Sequence, residues 1–243
     1  MQKVVIITGA SRGIGAATAK LLAKQGYAVC VNYRTQADAA AQVVSEIEKS
    51  DGKAIAIKAD VSDEQQVLSL FEQTEQALGK VTHLVNNVGI LFTQSRLADM
   101  SLERFQTVMN ANVTSCFLCC REAAKRFESG NAIVNVSSAA SRSGAPFEYV
   151  DYAASKGAMD SLTKGLSLEL AEQNIRVNGV RPGCIFTDIH ADGGEPNRVD
   201  RLSEKTPLKR GGTVDEVANA IAWLLSDEAS YVTGSFIDLA GGN

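Results

Sequence analysis

Tyr152 and Lys156 are the residues whose types and spacing most clearly allow chemistry in this sequence. Residues four apart share one face of a helix, so the phenol and the ammonium can address one small volume. A cation beside a phenol favours the phenolate and lowers a pKa that starts at about 10. The pair therefore predicts a tyrosine that acts as an acid or base near neutral pH. A serine pair, Ser137-Ser138, lies upstream at the end of an apolar run.

The elements that must position these residues follow from hydrophobic periodicity. Short apolar runs predict strands over residues 4–8, 28–32, 54–59, 83–86, 133–137, 176–180 and 236–238. Helical spacing predicts helices over residues 13–25, 37–49, 64–77 and 105–127. This alternation indicates an α/β protein with a doubly wound parallel sheet, the Rossmann fold, and helices on both faces. No linker or repeat interrupts it, so we expect a single domain over residues 1–243.

A glycine-rich loop follows the first predicted strand, with the sequence TGASRGIG at residues 8–15. Glycine tolerates positive φ and lets the backbone approach a ligand closely. The helix that begins there offers free N–H groups and a partial positive charge to a pyrophosphate. The loop predicts a dinucleotide site, and its candidate contacts are Gly9, Ser11, Arg12, Gly13, Ile14 and Gly15.

The end of the second predicted strand should decide which dinucleotide binds. An Asp or Glu there would accept hydrogen bonds from a ribose 2′-hydroxyl and favour NAD. The chain has Asn32, Tyr33 and Arg34 instead. Arg34 and Arg12 can hold a 2′-phosphate through charge-assisted hydrogen bonds. We therefore expect NADP(H) to be preferred over NAD(H).

Along its whole length the chain resembles the short-chain dehydrogenase/reductase family. The matching elements are the 8–15 loop, Asp60-Val61, Asn86-Asn87-Val88-Gly89, Asn112, Ser138, Tyr152 with Lys156, Arg181-Pro182-Gly183 with Thr187, and the final stretch 238–242. Two positions depart from the family pattern. Val88 stands where alanine is usual, and the interval from Ser138 to Tyr152 is about one residue longer than is common in the family. We expect the extra residue to bulge near residues 146–148, in the substrate-facing loop.

The resemblance implies contacts along a bound cofactor. Asp60 and Val61 would contact the adenine, and Asn86 would brace the sheet beside the cofactor. The segment Asn87, Val88 and Gly89 would line the site. The nicotinamide end would be held by Pro182, Gly183, Ile185 and Thr187.

The resemblance also implies a catalytic set of Asn112, Ser138, Tyr152 and Lys156. Ser138 would stabilise the negative charge that develops on a carbonyl oxygen, while Tyr152 donates the proton. Lys156 would lower the pKa of the phenol and hold the ribose hydroxyls of the nicotinamide. Asn112, a polar residue in an apolar helical stripe, would position a water that links Lys156 to solvent; its alternative role is helix packing.

Composition excludes several classes of partner. The 28 acidic and 24 basic residues give a net charge of −4, which offers no attraction to nucleic acid or an anionic membrane. No apolar run approaches the ~18 residues of a membrane span. The N-terminus passes directly into a strand pattern, so we expect no signal peptide. The five cysteines are odd in number and lie mostly in apolar stretches, which favours a reducing cytoplasm. No residues show metal-site spacing, so we expect no catalytic metal.

The expected function is NADP(H)-dependent hydride transfer to or from a small carbonyl or alcohol substrate. Narrower alternatives are a 3-oxoacyl-[acyl-carrier-protein] reductase and a glucose-type sugar dehydrogenase. Residues 128–131 and 172–174 contain no basic side chain, which disfavours an acidic carrier protein. A contrasting alternative is a non-catalytic NADP(H) sensor, which would have no use for a proton relay.

Two larger features remain as expectations. Residues 184–212 contain two prolines, two Gly-Gly pairs and several charged residues, which is typical of a mobile lid over a ligand. The alternative is an ordinary surface loop. The family resemblance implies a homotetramer that pairs the helices over residues 105–127 and 152–171.

Overall fold

The computed structural model describes residues 2–243 and contains a seven-stranded parallel sheet. The spatial order is β3-β2-β1-β4-β5-β6-β7. The strands are β1 Val4–Ile7, β2 Ala28–Tyr33, β3 Lys53–Lys58, β4 His83–Asn86, β5 Ala132–Val136, β6 Arg176–Pro182 and β7 Phe236–Leu239. The central strands are rich in Val and Ile and are buried on both faces, as a parallel sheet covered by helices requires.

Helices cover both faces of this sheet. Their ranges are α1 Gly13–Lys24, α2 Ala37–Glu48, α3 Glu64–Leu78, α4 Leu102–Met109, α5 Ser115–Arg126, α6 Ala140–Ser143, α7 Val150–Glu169, α8 Ile189–Asp192, α9 Arg198–Ser203 and α10 Val214–Leu225. Successive residues of β1 point to opposite layers: Val5 and Ile7 pack with α1, α2 and α10, whereas Val4 and Ile6 pack with α3, α5 and α7. The predicted doubly wound Rossmann architecture is confirmed.

The helix predicted over residues 105–127 is wrong in its detail. It begins earlier, at Leu102, because the hydroxyl of Ser101 accepts a hydrogen bond from the Arg104 N–H and caps it. It is then interrupted by a π turn over Asn110–Thr114 before α5 continues the same direction. Such turns insert an extra residue into the hydrogen-bond ladder and often occur at functional sites.

The strand order places a crevice above β1 and β4. From β1 the chain continues to β2, on one side of the β1–β4 pair. From β4 it continues to β5, on the other side, so the two connections run in opposite directions from this point. In doubly wound sheets, ligands bind in the crevice outside the carboxyl ends of the strands at such a switch. The glycine-rich loop after β1 and residues 87–90 after β4 both lie there.

Residues 184–212 form a partly helical excursion that contains α8 and α9. Its two ends are joined, because the Phe186 N–H donates to the Gly212 carbonyl and the Gly212 N–H donates to the Cys184 carbonyl. Among residues 2–243, no helix is both long and apolar enough to cross a membrane. The expectation that residues 184–212 move as a lid stays a prediction.

Candidate active site

The glycine-rich loop presents the start of α1 to the crevice. Gly9 and Gly13 have φ values of 59° and 56°, the left-handed region that favours glycine. Arg12 precedes the helix, and among the described residues no side chain caps this end and no acidic residue lies in its first turn. The N–H groups and the positive end of the helix dipole are therefore directed at the crevice without an internal acceptor.

Gly15 has a different role from the other two glycines. A Cβ at this position would lie 2.6 Å from Asn87 Nδ2 and 2.8 Å from the Gly9 carbonyl oxygen. The Asn87 side chain fills that space and donates hydrogen bonds to the carbonyls of Thr8, at 3.0 Å, and Gly9, at 3.1 Å. Gly15 thus allows Asn87 to fix the shape of the loop.

Two other asparagines predicted near the cofactor also have bracing contacts. The Oδ1 of Asn32 accepts from the Gly9 N–H at 3.3 Å, and its amide donates to the carbonyls of Ile57 and Ala59. Asn86 Nδ2 donates to Asn135 Oδ1 at 2.9 Å, across the β4–β5 pair. Both side chains tie neighbouring strand ends together beneath the crevice.

Both arginines expected to hold a 2′-phosphate already contact carboxylates. Arg34 Nη1 lies 3.6 Å from Asp60 Oδ2. Arg12 forms an ion pair with Asp192 of α8 and lies 3.9 Å from Asp188. These side chains are substantially exposed, and exposed ion pairs contribute only about 0–1 kcal/mol. A phosphate can therefore replace either carboxylate at little cost.

Three of the four predicted catalytic residues meet at the carboxyl end of β5 and the start of α7. Ser138 follows β5, and its Oγ accepts from the Ala140 N–H at 3.1 Å. Tyr152 lies in the first turn of α7, and Lys156 Nζ is 5.6 Å from the centre of the Tyr152 ring. Lys156 is almost fully buried and donates to the Val136 carbonyl at 2.9 Å. The predicted juxtaposition of phenol and ammonium is confirmed.

The predicted lowering of the tyrosine pKa is wrong. Burial raises the pKa of Tyr152 to about 12, and a hydrogen bond with the Ser138 side chain acts only partly against it. Burial also lowers the pKa of Lys156 to about 8, with Cys116 and Asp160 acting in the opposite direction. Removing both groups from water disfavours their charged forms more than their proximity favours them.

Asn112 lies in the π turn and is fully buried. Its Oδ1 accepts from the Ile90 N–H at 2.8 Å, while its amide donates to the Ile90 carbonyl at 3.1 Å and to Ser155 Oγ at 3.0 Å. Both amide hydrogens are thereby used, so the side chain connects the π turn, the segment after β4 and α7. The amide oxygen has a second lone pair, and the water-positioning role stays a prediction.

A continuous cavity of about 870 Å³ joins these groups. Every sequence-predicted cofactor and catalytic residue lines it except Gly15 and Asn112, which lie beneath its wall. Within the described part of the chain, no three His, Cys, Asp or Glu side chains are grouped as metal ligands.

The cavity continues into a substrate-side region that sequence reasoning largely missed. Glu148 and Tyr149 line it from the loop before α7, while His190 and Arg198 line it from the 184–212 excursion. Arg198 forms an ion pair with Glu148 and lies 4.9 Å from the centre of the Tyr149 ring. These residues are far apart in sequence and share no motif, so only the fold brings them together.

The loop predicted to bulge near residues 146–148 has an unusual backbone. Ala145 and Phe147 adopt φ values of 42° and 68°, a region that side chains other than glycine rarely occupy. Such conformations persist only where the surrounding structure enforces them, and they cluster at functional sites. The loop therefore has a defined, strained shape beside the candidate catalytic residues.

Comparisons with known proteins agree with this geometry. Residues 9–243 match the model of a protein family described as enoyl-(acyl carrier protein) reductase. Uncharacterized oxidoreductase YgfF of Escherichia coli is 59% identical over 244 residues, which cover 98% of this chain and 99% of that protein. Glucose 1-dehydrogenase 2 of Bacillus subtilis is 36% identical, with 99% and 94% covered. The crystal structure of a Burkholderia cenocepacia short-chain dehydrogenase in complex with NADP superimposes with a TM-score of 0.91 at 33% identity, with 99% and 97% covered.

Proposed function

Because this chain belongs to the short-chain dehydrogenase/reductase family, and is therefore an oxidoreductase, we propose that it transfers hydride between NADP(H) and a small carbonyl or secondary alcohol. Tyr152 is the general acid and base in this proposal. The observation that carries it is the single cavity, in which the dinucleotide-type loop and the Ser138, Tyr152 and Lys156 side chains face one another.

The crevice residues fit a nicotinamide dinucleotide. The uncapped start of α1 suits a pyrophosphate, and Gly183 allows close packing, since a Cβ there would lie 2.9 Å from the Ala240 Cα. The nicotinamide, when bound, supplies or accepts the hydride. Pro182, Gly183, Ile185 and Thr187 are the residues proposed to hold that end.

The protein's own groups supply the proton. At pH 7 the Tyr152 phenol is protonated, since burial raises its pKa, and Lys156 is mostly charged because its pKa of about 8 still exceeds the pH. The phenol is thus ready to donate a proton to a carbonyl oxygen, with Ser138 donating a second hydrogen bond to that oxygen. As the phenolate forms, the nearby ammonium stabilises it.

Replacement of Tyr152 by Phe tests the proposed general acid. Tyr152→Phe removes only the hydroxyl, so kcat should fall by about 10²–10⁴-fold. NADPH affinity, measured by fluorescence titration, should stay within about twofold. Tyr231→Phe is the matched control, because this tyrosine is fully exposed and should retain normal turnover. Near-normal kcat in Tyr152→Phe would end the assignment.

The narrower substrate alternatives are separated by one panel. Glucose and other sugars, an acetoacetyl thioester and small ketones are assayed by NADPH absorbance. The Bacillus subtilis relative's name supports including glucose, and the description of the matching family supports including the thioester. Turnover of one class identifies the substrate, whereas binding of NADPH without turnover of any would favour the sensor alternative.

Preference for NADP(H) is proposed from Arg34 and Arg12, which line the cavity without a competing acidic residue at the end of β2. The NADP complex of the Burkholderia cenocepacia relative supports it. Arg34→Ala should lower kcat/KM for NADPH about tenfold or more, because a charge-assisted bond contributes about 1.5–3 kcal/mol. NADH should be nearly unaffected. Lys58→Ala, at the end of β3 and outside the cavity, is the control. Equal use of both cofactors by the parent protein would refute the preference.

We further propose one catalytic domain over residues 1–243, a cytoplasmic location and a homotetramer. The single sheet supports the first proposal. All five cysteines are free thiols and four are buried, which supports a reducing compartment. Exposed apolar side chains on α4, α5 and α7 support the third: Phe105, Phe117 and Leu168.

A further inference from the structure

A buried ion pair lies directly beside the candidate proton donor. Arg104 of α4 reaches across to Asp151 of α7, with Nε 2.7 Å from Oδ2 and Nη2 3.3 Å from Oδ1. The two side chains are 15% and 1% exposed. Asp151 immediately precedes Tyr152, so this two-point contact acts on the first turn of the helix that carries the phenol.

The Asp151 carboxylate also binds the backbone of the tyrosine itself. Its Oδ1 accepts a hydrogen bond from the Tyr152 N–H at 2.9 Å. One oxygen atom therefore contacts both the guanidinium and the main chain of Tyr152. Any change in the guanidinium position is transmitted to that residue through one intervening group.

The third guanidinium nitrogen of Arg104 binds the segment after β4, on the opposite wall of the cavity. Nη1 donates to the Thr93 carbonyl at 2.6 Å, and the guanidinium carbon lies 5.6 Å from the centre of the Phe92 ring. The segment containing these residues begins with Ile90 and Leu91, which line the cavity. One guanidinium thus fixes the spacing between this wall and the start of α7.

We propose that Arg104 and Asp151 are positioning residues that set the location of the Tyr152 phenol relative to the substrate. This inference rests on the proposed role of Tyr152 as the proton donor. A buried ion pair is not needed for stability, because apolar residues of similar volume often serve as well or better. A planar fork that binds one carboxylate at two points does, however, define an orientation that apolar packing does not.

Arg104→Lys is the first test, because it keeps the charge and loses the fork. A displacement of about 1 Å at a reacting group can lower the rate about 10²-fold, so kcat should fall by about 10–100-fold. The Kd for NADPH should change by less than about twofold, since neither residue lines the cavity. Asp151→Asn, which keeps the shape and loses the charge, should lower kcat similarly.

The control is Arg126→Lys on α5. Arg126 is also a partly buried arginine bound by carboxylates, with Nε 2.7 Å from Glu122 Oε1 and Nη1 2.8 Å from Glu75 Oε2, away from the cavity. This variant should lower the melting temperature about as much as Arg104→Lys while leaving kcat unchanged. Equal kcat in the two lysine variants and the parent protein would overturn the proposal.

The double variant Arg104→Met/Asp151→Leu separates positioning from stability. It replaces the ion pair by apolar side chains. The melting temperature should stay close to that of the parent protein, because removal of two buried charges offsets the lost contacts with the Tyr152 N–H and the Thr93 carbonyl. Its kcat should nevertheless stay at least about tenfold low. Recovery of kcat together with stability would show a purely structural role. If Tyr152→Phe retains activity, the proposed function fails; if Tyr152→Phe is inactive and this double variant is normal, only the positioning role fails.

Discussion

Burial of Lys156 opposes folding while its charge serves the proposed chemistry. The ammonium has the Val136 carbonyl as an acceptor at 2.9 Å and lies 3.5 Å from the Met159 sulfur. Desolvation lowers its pKa from 10.5 to about 8, so the folded state holds the proton less tightly than the unfolded state. By linkage, the penalty is complete below about pH 8 and disappears as the pH rises toward 10.5.

Lys156→Met should therefore stabilise the protein and abolish turnover. The pKa difference corresponds to about 3 kcal/mol, and the unpaired Val136 carbonyl offsets part of it. We expect the free energy of unfolding at pH 7 to increase by about 1–3 kcal/mol, as measured by urea denaturation. The gain should shrink as the pH increases from 8 to 10.5. A decrease in stability at pH 7 would contradict this account of the buried charge.

For single residues, the sequence identifies the residue types and their spacing but not what surrounds each side chain in the folded protein. The interval between Tyr152 and Lys156 correctly predicted that the two side chains approach each other. It could not predict that burial raises the phenol pKa, because solvent exposure depends on segments far away in the chain. The same holds for Arg12, whose contact with Asp192 joins residues 180 positions apart.

Among the elements, the start of α1 depends on a close approach that only glycine permits. A Cβ at Gly15 would meet Asn87 Nδ2, the Gly9 carbonyl oxygen and the Ala10 Cα, all within 2.9 Å. Two of these three atoms belong to the backbone of the loop itself. The loop must therefore shift if a side chain is added.

Gly15→Ala should lower the free energy of unfolding by about 1–3 kcal/mol, the usual range for overpacking. It should also weaken NADPH binding, because the displaced loop is the proposed pyrophosphate site. Gly165→Ala is the matched control: among the described residues nothing lies within 4 Å of its added Cβ. That change in mid-helix should stabilise α7 by about 0.5–1 kcal/mol. Unaltered stability and NADPH affinity in Gly15→Ala would refute the packing argument.

Most elements could be predicted because their apolar periodicity is strong. The π turn at Asn110–Thr114 could not, since one extra residue in the ladder barely changes the apolar stripe that continues into α5. Asn112 was the only sign of an irregularity there. The ion pair between Arg198 of α9 and Glu148 could not be predicted either, because Glu148 lies in a different loop.

For the molecule as a whole, the proposed homotetramer is the property most open to direct measurement. Phe105 and Phe117 are 39% and 45% exposed on α4 and α5, and Leu168 is 64% exposed on α7. Contiguous helices with exposed large apolar residues are typical of interaction surfaces. The parallel sheet and its helical layers could be predicted from sequence. The exposed apolar faces could not, because in the sequence their apolar residues cannot be distinguished from those that face the core.

Light scattering should give a mass of four chains for the parent protein. Phe117→Lys should reduce that mass to two chains or one, because a charged group would be buried without a partner. Leu97→Lys changes a residue that is 65% exposed and lies outside these helices, and it should leave the mass unaltered. A monomeric parent protein would refute the proposed assembly.

The carboxylates beside Arg12 and Arg34 also affect how the proposed phosphate recognition responds to ionic strength. Added salt ordinarily weakens the binding of an anion to exposed cations, because mobile ions screen each attraction gained. Under the proposed preference for NADP(H), each arginine exchanges a carboxylate for a phosphate, and salt weakens the contact that is lost as well as the one that forms. The two screening effects oppose each other. The affinity for a phosphate-bearing ligand should consequently fall less steeply with added salt than it would at arginines without carboxylate partners.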